Sequence, residues 1–360
     1  MKLNHLLLYY LLFSFFAAHI FSYANYDPIL VVVIMVKDEE AVMQKTLQPF
    51  INGGVNSFFV FDTGSTDKTI EVTQEFFNKN NVTHGYIEQE PFIDFATSRN
   101  RALDLAHEKF PNAAFMIMLD AEWYLNDARA LINFCQSCLE NNEICSAYHI
   151  RILYGGNDYY VPRLIRCNRN VRFLGAVHEI ICCQHEIKVP NNVYFEQLPE
   201  IKGSEKTQKR FIRDRELLYR EYIKNPCEAR TLFYLARTCE DLGNLEEAYY
   251  LYKKRIVLTG YDEENFISFY RLAQTVEKLS YCNEHYTWPE ALGYYLQAYQ
   301  MRPHRAEPLI SIAHYYVNQD DMHTAFLFAR QAIDITYPHN DMLFIEKYAY
   351  NYLRYELLAR

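Results

Sequence analysis

Residues 29–36 form an unbroken apolar run, Ile29-Leu30-Val31-Val32-Val33-Ile34-Met35-Val36, and six of the eight are β-branched. A run of that length with no polar alternation predicts a strand covered on both faces. Such a strand needs helices packed on either side of its sheet, so it points to a layered α/β unit. The next segments agree. A second strand over 57–61 ends at Asp62-Thr63-Gly64-Ser65-Thr66-Asp67. Ile70, Val72, Phe76 and Phe77 then follow helical spacing, with Ser65 or Thr66 as the expected cap. A helical pattern covers 94–107, and a third buried strand over 114–119 stops at Asp120. Strands alternating with helices predict a Rossmann-like, mainly parallel sheet, whose ligands sit beyond the carboxyl ends of the strands. Asp62 and Asp120 both fall there.

A chain of 360 residues, half of them apolar, is long enough for two cores. Its 45 acidic against 36 basic residues give a formal charge of -9, which removes the basic field that nucleic acid requires. Near Gly203-Ser204 the strand-like runs give way to helical ones, so the expected domains are 28–203 and 204–360. In the second, Leu235-Ala236, Leu242-Gly243, Ala248 and Tyr252 stand at tetratricopeptide offsets. Ala291, Tyr295, Ala298 and Pro303, then Ile312-Ala313, Tyr316, Ala325 and Ala332, repeat parts of the pattern. This predicts an all-α repeat domain in which small residues let helices cross closely. Residues 280–287 read as an insertion between helices.

At the other end, Lys2 precedes an apolar stretch from Leu6 to Ile20, and Ser22-Tyr23-Ala24 offers a small-x-Ala cleavage site. Residues 1–24 are expected to be either a cleaved signal peptide or a membrane anchor, so the chain is expected to be exported or membrane-associated. Nine cysteines leave at least one unpaired. Cys135 and Cys138 have metal-type spacing without a second such pair, and core thiols are the expected reading. Asn81-Val82-Thr83 is a glycosylation sequon.

Chemistry concentrates at the strand ends. The carboxylates of Asp120-Ala121-Glu122 follow a buried strand with one residue between them, a placement that can hold a divalent cation and, through it, a diphosphate. In Asp62-Thr63-Gly64-Ser65, Gly64 permits positive φ and lets a flat ligand near the backbone, while Asp62 can accept a hydrogen bond from a base or ribose.

Taken in order, Met35-Val36-Lys37-Asp38-Glu39-Glu40, Asp62 to Thr69, and Asp120-Ala121-Glu122 resemble the family 2 glycosyltransferases of GT-A fold. Asp94-Phe95-Ala96, Arg99-Asn100 and Gly175-Ala176-Val177-His178-Glu179 resemble the branch with tetratricopeptide repeats, as in the bacterial sublancin-type S-glycosyltransferase. The resemblance implies a GT-A catalytic domain moving a hexose, with inversion, from a nucleotide sugar to a protein, lipid or glycan acceptor. It implies Asp62 against the base, with uracil expected and Gly64, Asp67 and Asp94 nearby. Arg99 and Asn100 would flank the nucleotide and diphosphate, and Asp120 with Glu122 would lie on the ribose and on the diphosphate bound through Mn²⁺ or Mg²⁺. Glu179 is the expected base and His178 a candidate third metal ligand. Glu122 departs from the usual second aspartate, and Asp38 from asparagine. Arg163, Arg166 and Arg172 can contact phosphate or acceptor, or form a solvated edge.

The alternative is a catalytically degenerate domain with a repeat-based protein-binding role. Nucleotidyl transfer is disfavoured, because Lys37-Asp38-Glu39-Glu40 is acidic where a triphosphate needs a basic, glycine-rich loop. The repeats offer a surface for a protein partner in either case.

Overall fold

The structure is a computed structural model that describes residues 27–155, 157–167, 170–181, 187–197 and 205–359. The expected signal or anchor at 1–24 lies outside the described residues. The chain divides between Glu200 and Ile201 into two units. Among the described residues no helix is long and apolar enough to cross a membrane.

The first unit is built around β1 (Leu30–Val36), β2 (Ser57–Asp62), β3 (His84–Gln89) and β4 (Phe115–Leu119). They run parallel in the order β3-β2-β1-β4. The apolar run of β1 is buried on both faces, as its composition requires. Leu30, Val32, Ile34 and Val36 pack with α1 (Met43–Asn52), α2 (Thr69–Lys79) and α4 (Ala128–Glu140). Val31 and Val33 face the opposite core with α3 (Phe95–Lys109). This alternation is the period of two that a pleated strand imposes.

The sheet is mixed, which corrects the expected mainly parallel one. Beyond β4 it continues through β7 (Asn157–Arg166), β6 (Ala147–Tyr154), β11 (Tyr194–Gln197) and β5 (Trp123–Leu125), with β10 (Ile187–Lys188) also on β6. β7 is antiparallel to both neighbours, and β5 is antiparallel to β11. The cause is local: β6 and β7 are consecutive strands joined at Gly155, whose φ is +55°, and so short a connection permits only an antiparallel hairpin. A further small pair, β8 (Phe173–Leu174) with β9 (Ile180–Ile181), lies after β7.

The start of α2 also differs from expectation. The helix begins at Thr69 with Lys68 in the cap position, so neither Ser65 nor Thr66 caps it. Asp67 takes that part instead, accepting from the Thr69 backbone N–H at 3.0 Å.

The second unit contains α5 (Glu205–Lys224), α6 (Ala229–Asp241), α7 (Leu245–Arg255), α8 (Asp262–Ser280), α9 (Trp288–Met301), α10 (Glu307–Asn318), α11 (Met322–Ile333) and α12 (Arg354–Ala359). Residues 281–287 connect α8 to α9. Ala236, Ala248, Ala291, Ala298, Ala313, Ala325 and Ala332 are all buried. These small side chains lie inside consecutive helix pairs, where close helix approach leaves no room for a larger group.

Candidate functional site at the strand ends

The loops after β1 and β2 are laced together by reciprocal hydrogen bonds. Asp38 donates its backbone N–H to Ser65 Oγ (2.9 Å) and accepts from the Thr66 N–H on Oδ1 (2.6 Å). Glu40 donates to Asp67 Oδ2 (3.1 Å), and its own carboxylate accepts from the Lys68 N–H (2.8 Å). Asp38 sits at φ +56°, a backbone state that Asp tolerates better than most residues. Thr63 closes the seam at its inner end, with N–H and hydroxyl both on the Val36 carbonyl (2.9 and 3.0 Å).

Asp62 is fully buried at the end of β2. Its Oδ1 accepts from the Gly64 N–H (2.9 Å), the Ser65 N–H (2.9 Å) and Gln89 Nε2 (2.8 Å). Burial by itself would raise this carboxyl, but the bonds from Ser65, Gln89 and Gly64 together hold it below the usual range. Oδ2 is buried, and among the described residues it has no hydrogen-bond partner. Gly64 stands at φ +101° with no atom near the position a Cβ would take, so the backbone there is open to a ligand.

Two strands across, Asp120 follows β4. Register places Asp62 opposite Val36 and Leu119 opposite Ile34, so the two aspartates flank the end of β1 at a lateral separation of about 10 Å, two strand spacings. Asp120 belongs to a quartet of two carboxylates and two guanidinium groups. Arg99 Nη2 lies 2.5 Å from Asp120 Oδ1, and Arg99 Nε lies 2.7 Å from Glu179 Oε1. Arg163 Nη2 reaches Glu179 Oε1 at 3.0 Å and Asp120 Oδ2 at 3.6 Å. The formal charges cancel. Arg99 is 3% exposed and Glu179 7%, whereas Asp120 keeps 35% of its side chain open. Burial opposes ionisation of both acids, but Arg99 and Arg163 outweigh it and hold both below the ordinary carboxylate range. Burial likewise opposes the Arg99 charge, and Asp120 with Glu179 reverses that effect. The Arg163 guanidinium also lies 5.2 Å from the Trp123 ring and 5.4 Å from that of Phe173.

Several residues expected at the site make bonds within its frame. Asn100 forms a two-way clamp on β8, donating to the Phe173 carbonyl (2.9 Å) and accepting from its N–H (2.8 Å). Asp94 caps α3 through Thr97, with the backbone N–H at 2.7 Å and the hydroxyl at 2.8 Å. The Phe95 N–H donates to the Ala176 carbonyl (3.0 Å), tying the helix start to the turn that carries Gly175 (φ +99°) and His178 (φ +54°). His178 is exposed and Glu122 half-buried. Among the described residues no group of three or more His, Cys, Asp or Glu could hold a metal ion. Cys135 and Cys138 are buried free thiols, and burial pushes both up.

Gln89, Trp123 and Phe173 are contributors that motif reading missed. Of the three arginines singled out from sequence, Arg163 joins the quartet. Arg166 is buried over the Phe115 ring, and Arg172 pairs with Asp104 on the surface.

No family model matches this chain, and no curated protein matches it. Among solved structures it is similar to a crystal structure of MamA at 19% identity, covering 38% of this chain and 75% of that one with a TM-score of 0.31. A second MamA structure has 18% identity, coverages of 36% and 66%, and a TM-score of 0.31. A third, MamA MSR-1 C2, has 20% identity, coverages of 36% and 69%, and a TM-score of 0.30. The expected membership of family 2 glycosyltransferases, sublancin-type branch included, is corrected on these findings: no family model matches, and the similar structures named here are of MamA.

Proposed function

We propose that the strand-end basin of the first unit binds a nucleoside diphosphate sugar, with the repeat unit binding a protein partner. The observation that carries the first part is the orphaned Oδ2 of Asp62. A buried acceptor without a donor is costly, and the N–H of a planar base laid over the open Gly64 backbone would satisfy it. The parallel run β3-β2-β1-β4, with both aspartates beyond its carboxyl ends, supports the finer GT-A reading of this unit. A span of about 10 Å between Asp62 and Asp120 gives room for a base at one end and a ribose or phosphate at the other.

The reaction such a site would serve is transfer of the sugar to a protein, lipid or glycan acceptor. The expected metal set of Asp120, Glu122 and His178 does not fit a divalent cation as arranged, because both oxygens of Asp120 face arginines and no three-ligand group exists among the described residues. No step is routed through one. Glu179, the expected base, lies between Arg99 and Arg163, and a carboxylate held below its usual range is a weak proton acceptor. This closure favours the second reading, a glycosyltransferase-like unit that recognises its nucleotide without transfer and acts through partner binding by the repeats. The function supported best is therefore nucleotide recognition joined to protein binding.

Calorimetric titration with UDP, GDP and CMP, with and without Mn²⁺, tests this directly. Binding of one nucleotide is the expected result, and no binding of any removes the proposal. Release of free sugar or glycosylated product from a bound donor would restore transfer as the activity.

A further inference from the structure

The second unit contains a cavity of about 300 Å³ lined by side chains from α8, α9 and α10 and from the segment that follows α11. Tyr270 and Tyr295 form its walls and are almost completely buried. Glu277 and Glu346 face into it, with Ser311 and His314 on the α10 side. Tyr295 donates to Glu277 Oε2 at 2.6 Å, and the Tyr270 hydroxyl lies 3.3 Å from Glu346 Oε1 and 3.2 Å from Ser311 Oγ.

The nearby cations make their ion pairs with other acids, although the charges of His314 and Lys278 act on Glu277 and those of Arg271 and Arg305 on Glu346. Lys278 on the rim lies 3.2 Å from Glu240, and Arg271 lies 3.7 Å from the same carboxylate. Arg305 is held by Glu307 at 2.7 Å and Asp341 at 3.2 Å. Among the described residues neither Glu277 nor Glu346 is in an ion pair. The cavity thus combines aromatic walls with two carboxylates that make no ion pair among the described residues, the pairing that recognises an ammonium or guanidinium group. Its volume is at the lower end of the range for ligand pockets and suits one long side chain.

We propose that this cavity receives the cationic side chain of a basic peptide segment on a partner protein, between Glu277 and Glu346 and against Tyr270 and Tyr295. The inference rests on the partner-binding reading of the repeat unit and specifies its chemistry. Burial holds both carboxyls above their usual range, against the hydrogen bond from Tyr295 at Glu277 and the charge of Arg271 at Glu346. An incoming cation would relieve that cost, which links occupancy of the cavity to ionisation of its acids.

The test uses the full chain and fluorescently labelled hexapeptides of three compositions: lysine-rich, the same peptide with every lysine acetylated, and glutamate-rich. The expected result is saturable binding of the lysine-rich peptide alone, weakened at least tenfold in the Glu277→Gln/Glu346→Gln variant. Because Gln preserves shape and removes buried charge, circular dichroism should show the variant folded. Tyr270→Phe provides a second, milder perturbation and should weaken binding less. Lysine-peptide binding unaffected by both variants, or equal binding of the acetylated peptide, overturns the cavity proposal but leaves partner binding intact. Preference for the glutamate-rich peptide does the same. Binding of none of the three overturns the proposal and counts against partner binding through the repeats as well.

Discussion

At the scale of single residues, the site turns on which carboxylates have their charge matched. Among the described residues Asp62 has three donors on one oxygen and none on the other, so its substitution should be felt by the ligand more than by the fold. Asp62→Asn is expected to weaken nucleotide binding by tenfold or more, the size of one hydrogen bond to a charged group, as read by calorimetry. Asp120 and Glu179 are depressed by their arginines, so their contribution to stability is present above the ordinary carboxylate range and lost as pH falls through their folded values. The first unit should accordingly hold a level melting temperature from pH 7 to about 5 and lose it below about 4. Glu277 and Glu346 have the opposite sign. Their folded values are raised, so the folded state is disfavoured as pH rises through the interval between the unfolded and folded values. Glu277→Gln should therefore raise the melting temperature at pH 7 and leave it unchanged near pH 4; an increase at both pH values would show that charge is not the cause. Much of this residue set was legible in the sequence, since Asp62, Arg99, Asp120 and Glu179 stand in local motifs at strand and helix ends. Their partners were not. Asn100 meets Phe173 across 73 positions of chain, and nothing in either neighbourhood announces the clamp.

At the scale of elements, α3 and β7 position the quartet, and the β8–β9 pair supplies its deepest carboxylate. Replacing Asn100 by Ala would leave the Phe173 N–H and carbonyl without their partner, at a cost of about 1–3 kcal/mol. Faster hydrogen exchange at the Phe173 amide would register it, and unchanged exchange would mean that β8 is held by other contacts. Gly64→Ala meets no atom, so its penalty should be purely the positive-φ strain, about 1–2 kcal/mol. Strands β1, β2 and β4 could be read from sequence because burial on both faces forces continuous apolar runs. The reversed strand β7 could have been read from Gly155-Gly156 between two extended segments, a hairpin signal that the α/β pattern overshadowed. β5 and β8 to β11 are two to four residues long and carry no periodicity to detect. The α2 cap was misplaced for a related reason. Ser65 and Thr66 have the right chemistry for capping, but both bond to Asp38 on the neighbouring loop, and that tertiary demand wins.

At the scale of the whole molecule, the chain carries two cores joined near residue 200. Produced as two fragments divided between Glu200 and Ile201, the units should each melt cooperatively. A single transition shared by both fragments in the uncut chain, absent once they are separated, would mean that their stabilities are coupled. The change of texture near Gly203-Ser204 was visible because helical and strand periodicities differ. What the repeats contact was not, since small residues at helix crossings encode packing rather than partners.

The lacing between the loops after β1 and β2 has a consequence for how the site can change over time. Asp38 answers Ser65 and Thr66, and Glu40 answers Asp67 and Lys68, each side donating and accepting. A lineage drifting toward a different ligand could not remodel one of these loops alone, because the first substitution would strand a donor or acceptor on the other. Such a rim is heritable as a unit, and a shift in what it recognises would arrive as paired replacements some 27 or 28 positions apart.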